Sequence, residues 1–131
     1  MSFGKVTIDA ADKAFSQYIR LRDGMCLRCR IPVTVNGKGL PTSLQASHFQ
    51  GRRKENTRFD PDNVCALCMG CHMYFTANPA EHYQWQVDRL GQKTVDEVIL
   101  KSNTYLKKDR QLQAMYWSQE LKELVRHIQS R

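Results

Sequence analysis

Nowhere does this sequence hold an apolar run approaching the ~20 residues that a bilayer crossing requires. A spanning helix is therefore not expected. The opening Met1-Ser-Phe-Gly-Lys-Val6 lacks the apolar core of a signal peptide, so the chain is expected to stay in a reducing cytoplasm. Repeats, low-complexity tracts and long flexible linkers are also missing, which argues against solenoid and disordered architectures. Acid is scarce: 13 Asp and Glu face 20 Lys and Arg, giving a formal charge of +7 and a pI near 9.3. Such an excess suits a polyanionic partner, most often nucleic acid. Five cysteines are too few and too odd for a disulfide framework, and in a reducing compartment thiols serve metals or catalysis.

What is present is an ordinary globular composition, 41% hydrophobic and 25% charged over 131 residues. That length makes one compact domain, read as an N-terminal core over 1–78 and a helical C-terminal extension over 79–131. The expected class is α+β. Asp9 to Asp23 reads as the first helix, with acids in its first turn and Gly24 as its stop. Arg30 to Val35 reads as an edge strand interrupted by Pro32, followed by the turn Asn36-Gly-Lys-Gly39. A second strand, Ser43 to Phe49, would carry Leu44, Ala46 and His48 on one face and Ser47 on the other. Gln50 to Thr57 is a polar, basic loop, and Asp60-Pro-Asp62 is a turn. Further helices are expected from His72 to about Ala77, from Asn78 (cap) to Leu90, and from Val95 to about Ser102 with Thr94 as cap and Glu97 reciprocating. A last helix runs from about Lys107 to Gln129 at apolar helical spacing.

Cys26-Leu-Arg-Cys29 and a downstream Cys-x-x-Cys supply four soft thiolates, the tetrahedral set preferred by structural zinc. The two-residue gap lets both sulfurs of one tight turn face one ion. Cys65, Cys68 and Cys71 are each three apart, so spacing permits Cys65/Cys68 or Cys68/Cys71. The second pair is preferred because it leaves His72 at a helix start beside the knuckle, with Cys65 as a buried thiol.

His48 at a strand end, Asn63 before the second knuckle and His72 after it follow the order His, Asn, His. Interleaved with two zinc knuckles over Cys26 to Thr76, this pattern resembles the HNH, or ββα-metal (His-Me finger), endonucleases. The resemblance implies a zinc-stapled ββα-metal core with flanking helices and a long C-terminal helix. It also implies phosphodiester hydrolysis with one catalytic Mg²⁺ or Mn²⁺. By position, His48 would be the general base, Asn63 would orient the base loop or metal site, and His72 would be a metal ligand. The chemistry makes matching demands: imidazole titrates near neutral pH, and a hard ion offsets charge on the phosphate and leaving oxygen. Many such enzymes carry Asp or His directly before the base, where this chain has Ser47. His82 and His127 are read as surface or packing residues.

A longer resemblance, from about Ala10 to the final helix, is to the phage NinG (Rap) recombination proteins. It rests on Phe15-x-x-Tyr-Ile-Arg-x-Arg-Asp23, the first Cys-x-x-Cys, Ala46-x-His-Phe49, Thr57-Arg-Phe-Asp60, Asn63 and Cys68-x-x-Cys71. Typical members have Gly before the base histidine and Asn after the last cysteine, where this chain has Ser47 and His72. The family implies cutting of branched recombination intermediates, such as Holliday junctions and D-loops, in a host-cell cytoplasm. Arg52, Arg53, Lys54 and Arg58 follow the base histidine and are the expected phosphate contacts, which position DNA without reading its sequence. Two coordinated cuts would call for a homodimer, for which Tyr116, Trp117 and Leu121 are the candidate interface. The competing expectations are an HNH nickase indifferent to DNA structure and a non-catalytic zinc module that binds DNA.

Overall fold

A computed structural model describes residues 7–131; the signal-peptide expectation for Met1–Val6 lies outside them. The described chain is α+β, with six helices and one two-stranded antiparallel sheet. The order is α1 (Ala10–Asp23), β1 (Gln45–His48), α2 (Glu55–Arg58), β2 (Val64–Leu67), α3 (Met69–Ala77), α4 (Pro79–Leu90), α5 (Gln92–Ser102) and α6 (Arg110–Gln129).

Helix α1 begins where Asp9 and Asp12 satisfy each other's backbone N–H at 3.0 Å, a reciprocal capping box. It ends at Gly24, whose φ of 69° is the left-handed stop that glycine adopts without strain. Its apolar stripe, with Ala11, Ala14, Phe15 and Ile19, packs along α6 and onto the sheet. The sheet pairs Gln45 with Leu67, Ala46 with Ala66, Ser47 with Cys65 and His48 with Val64.

Several expected elements differ. Arg30 to Val35 forms two isolated bridges, Met25 to Pro32 and Val35 to Pro41, rather than a ladder. Proline donates no N–H, and Arg30 takes a φ of 72° that breaks extended geometry. The hairpin partner is instead β2, an unbroken buried run, Val64-Cys-Ala-Leu67, covered on both faces and therefore without strand alternation. Leu44 does not share a face with Ala46. Its φ of 68° precedes the strand and turns it toward the cysteine side. The loop after β1 contains the one-turn α2. Helix α3 starts at Met69, not His72, because Cys68 Sγ accepts the Cys71 N–H and serves as its cap. Helix α5 starts at Gln92 on Gly91, leaving Thr94 inside it, and Glu81 bonds the Tyr74 hydroxyl rather than its own helix N-terminus. Helix α6 begins at Arg110, capped by Asp109 on Leu112 N.

Two core clusters sit on opposite sides of the hairpin. One joins Ala11, Phe15, Ile19, Ala46, Phe59, Val64 and Trp117, with the Phe15 and Trp117 rings 4.6 Å apart, edge to face. The other is Cys26, Cys65, Leu67, Cys71 and Phe75. Trp117 and Leu121 are buried against α1, so this pair, expected at a dimer interface, is intramolecular core, while Tyr116 is exposed. Among the described residues no helix is long and apolar enough to cross a membrane.

Candidate functional site

The turn 26–29 and the start of α3 bring four sulfurs together. Sγ atoms of Cys26, Cys29, Cys68 and Cys71 all lie within 4.8 Å of one another, and those of Cys29 and Cys68 are 3.7 Å apart. Thiolates at ~2.3 Å from one tetrahedral ion would be about 3.8 Å apart, so the set has the geometry to hold a metal ion such as zinc. Cys71, not Cys65, completes it; Cys65 lies buried in β2, where burial pushes its thiol up to about 11. Backbone N–H groups at each turn point at sulfur, Cys29 N to Cys26 at 3.5 Å and Cys71 N to Cys68 at 3.4 Å. The donor set itself asks for a cation. Burial resists ionisation of Cys26, yet N–H groups from Cys29, Cys68 and Arg28 bring it down to about 6, whereas burial and the neighbouring thiols drive Cys71 up to about 12. One negative charge is stabilised there by backbone N–H groups and a second is resisted, a conflict that a divalent ion would remove. Arg28 adds a guanidinium 3.4 Å from Cys71 Sγ and 4.2 Å above the Tyr74 ring.

The hairpin carries the remaining groups on two faces. His48, at the end of β1, turns toward α1, and its ring lies 6.4 Å from that of Phe15. Its Nε2–H donates to the Arg58 carbonyl at 2.9 Å, which leaves the lone pair on Nδ1. That Nδ1 is buried without a partner. Burial, then the nearby Arg52 cation, holds the imidazole down at about 4. Arg52 is itself half-buried, with an unpartnered buried Nε and a pKa depressed by burial. Two buried polar atoms without partners, on residues close enough to interact electrostatically, call for an explanation, and a ligand is one.

Asn63 is fully buried and ties the ends of the loop that follows His48. Its Oδ1 accepts from Gln50 N at 2.7 Å, while Nδ2 donates to Gln50 O at 2.8 Å and Thr57 O at 3.0 Å. His72, on α3, lies on the other face, with Nδ1 3.0 Å from Ser47 Oγ. Adjacent strand residues point to opposite faces, so Ser47 reaches α3 while His48 reaches α1. The two histidines thus flank β1 rather than touch. Among the described residues, the only group of three or more His, Cys, Asp or Glu close enough to share an ion is the thiolate set. His72 is therefore not part of a second protein-only metal cage.

The basic loop is divided. Arg53 and Lys54 are exposed and Arg52 half-buried. Arg58, expected at phosphates, is buried in a bidentate pair with Asp12, Nε to Oδ1 at 2.8 Å and Nη2 to Oδ2 at 2.6 Å, and also bonds Thr7 O. Burial opposes charge on Asp12, but the Arg58 bonds hold its pKa below the ordinary value. A guanidinium used this way is structural.

Two neighbours escaped sequence reasoning as site residues. Ser47 looked like a gap in a ligand set; it is the hydrogen-bond partner of His72. His82, read as a surface or packing residue, does pack: it stacks on Phe75 at 4.6 Å and 9°, and sits 5.3 Å from Phe49. Burial first, then the His72 and Arg89 charges, hold it down at about 4. Only the fold of α4 over α3 brings it near His72, and no local spacing signals that. No known family model, curated protein or solved structure matches the chain.

Proposed function

We propose that the chain is a divalent-metal-dependent DNA endonuclease of the ββα-metal kind, stapled by zinc at the four cysteines and selective for branched DNA. The observation that carries this reading is the hairpin-and-helix unit β1–β2–α3, in which buried Asn63 clamps the loop directly after His48. A loop fixed at Gln50 and Thr57 holds a catalytic base and a phosphate-binding arginine in register.

In this reading His48 accepts a proton at Nδ1, because the Arg58 carbonyl engages Nε2–H. At rest it is shielded and its basicity is suppressed. A DNA phosphate that draws Arg52 away relieves both effects at once: Nδ1 opens to water, and the nearest cation is neutralised. His48 thereby approaches the near-neutral range in which a general base works best. Arg53 and Lys54 supply further phosphate contacts. A Mg²⁺ or Mn²⁺ ion would stabilise negative charge on the phosphate and the departing oxygen. The one protein ligand assigned to it is His72, through the nitrogen that Ser47 leaves free. Ions of this class commonly take one or two protein ligands and complete their shell with water and substrate phosphate.

Branched-DNA selectivity and dimerisation come from the recombination-protein resemblance. A second reading, a non-catalytic zinc module that binds DNA, is favoured by the incomplete ligand set around His72. One experiment separates them. Purified protein is incubated with a synthetic four-way junction and with a linear duplex of equal length, in Mg²⁺ or Mn²⁺. The nuclease reading expects junction cleavage that His48→Ala abolishes. Equal cutting of both DNAs removes the structure preference, and tight binding without cleavage in either ion selects the module.

A further inference from the structure

We propose that the trough between α1 and α6 is a docking site for an acidic amphipathic helix of a partner protein. It stands apart from the hairpin site and does not depend on the nuclease reading. The trough has a volume of about 870 Å³. Its floor is hydrocarbon: the edges of Ala14 on α1 and Leu121 on α6, otherwise buried in the core, flanked by half-buried Leu40 and Val125. Small side chains on α1 leave the depth, because alanine fills little of the space between two helices crossing face to face.

The rim has one sign of charge. Lys13 comes from α1, Lys38 from the loop before β1, and Lys122 and Arg126 from α6, and no acidic residue lines the trough. Among the described residues none of these four cations has an ion-pair partner. Lys122 and Arg126 are one helical turn apart, about 6 Å, which matches carboxylates at i and i+4 on a docked helix.

The wall carrying Lys38 is held in place. Asn36 Oδ1 accepts from Lys38 N at 2.9 Å and Leu40 N at 3.1 Å. Gly39, with φ of 79°, lies so close to α6 that a Cβ there would sit 2.8 Å from Gln129 Nε2 and 3.0 Å from Val125 Cγ1. Such preorganisation lowers the entropic cost of binding.

Charge and shape together choose the occupant. A fatty carboxylate would cover the floor yet neutralise one cation among four. A nucleic-acid strand would meet the cations and leave Leu121 and Val125 against sugar and phosphate. A helix with Leu on one face and Glu along both flanks satisfies floor and rim together.

The test uses the full chain, ¹⁵N-labelled and metal-loaded, with a labelled Leu/Glu peptide of about 14 residues, long enough to be helical when bound. Fluorescence anisotropy should show saturable binding, and amide shifts should fall on residues 10–17, 38–40 and 118–130. Lys122→Glu with Arg126→Glu should weaken binding at least about tenfold with an unchanged circular dichroism spectrum and melting temperature. Gly39→Ala, which disturbs the wall without altering charge, should weaken it severalfold. A peptide with Lys in place of Glu should not bind. The proposal is overturned by no binding at about 1 mM peptide, by affinity indifferent to the charge reversals, or by shifts elsewhere. It is also overturned if oleate or an oligonucleotide shifts the trough amides while the acidic peptide does not.

Discussion

The hairpin is supported very differently on its two faces. Toward α1 it rests on Phe15, Ile19, Phe59 and Trp117, large hydrocarbon surfaces that interlock without help. Toward α3 it rests on Phe75, Leu67 and three cysteines, with only partly buried Leu27, Leu44 and Trp85 around them, and with thiols that repel one another once ionised. The first face resembles the core of any small domain; the second has the geometry of a core that a metal ion could brace. His48 belongs to the aromatic face and His72 to the cysteine face. The two halves of the candidate site should therefore fail separately.

Metal removal gives the largest effect. Binding energies of structural thiolate sites run to about 10–16 kcal/mol, so chelation, or Cys29→Ser with Cys68→Ser, should unfold the knuckles and α3. Hydrogen exchange should then show loss of protection over 24–34 and 66–77, with protection retained in α1 and α6. Uniform loss across both faces would mean that the hairpin does not divide the protein in this way. Next in size is Arg58. Its removal takes the bidentate partner from the Asp12 carboxylate, buried at 4% exposure, and leaves it only the Asp9 N–H at 3.0 Å and the Arg110 guanidinium at 3.9 Å. Arg58→Ala should cost about 3–5 kcal/mol in denaturant unfolding, while metal content by mass spectrometry stays at one ion per chain. A loss of bound metal in Arg58→Ala would couple the two faces directly.

How much of this was legible in the sequence follows from the same division. The α1 stripe, its acidic first turn and glycine stop, and the α6 periodicity are local patterns, and they read correctly; the Asp9–Asp12 capping box was not read, and the reciprocal caps expected at Asn78 and Thr94 do not form. The thiolate set was legible because each knuckle is a three-residue geometry, and helix continuity after Cys71 chose between Cys65 and Cys71. Strand β2 was missed because a segment buried on both faces shows no alternation. The putting of Arg58 into DNA contacts failed for a related reason: a basic loop and a buried ion pair look alike until Asp12, 46 residues away, is known to be its neighbour. Ser47 and His72 are 25 residues apart, and only the strand-to-helix packing makes them a pair.

Acid should act on the α1 face through His48. Folding holds this imidazole at about 4, below its ordinary 6.5. The unfolded chain therefore binds the proton that the folded chain refuses, and stability rises with pH between those values. The contribution is complete above about 6.5 and declines as pH falls toward 4, by at most about 3.4 kcal/mol. His82 has the same direction on the other face. Urea midpoints at pH 7.5 and 5 should differ, and His48→Gln should flatten part of the difference. The Cys26 thiol, brought down to about 6, lies in the same range, so the comparison of variant with parent, not either alone, isolates His48. Identical pH slopes for the two proteins would show that the folded chain accepts the proton at no cost.

The smallest effect sharpens the comparison most. Ser47 is 2% exposed, and its hydroxyl lies 3.0 Å from His72 Nδ1. Ser47→Ala removes one neutral hydrogen bond and leaves little space, so stability should fall by about 1 kcal/mol. The ring of His72 should respond far more, since Ser47 holds its Nδ1 toward β1 and so aims its other nitrogen away from the strand. Nitrogen-15 imidazole shifts should move toward a tautomer mixture at His72, while those of His48, on the opposite face, stay where they are. In the nuclease reading the same change lowers affinity for the catalytic ion about 10–100-fold, read as a higher Mn²⁺ concentration for half-maximal cutting. A shift at both histidines would mean that β1 transmits the change between its faces. A shift at neither would mean that the packing of α3, rather than the hydroxyl, orients His72.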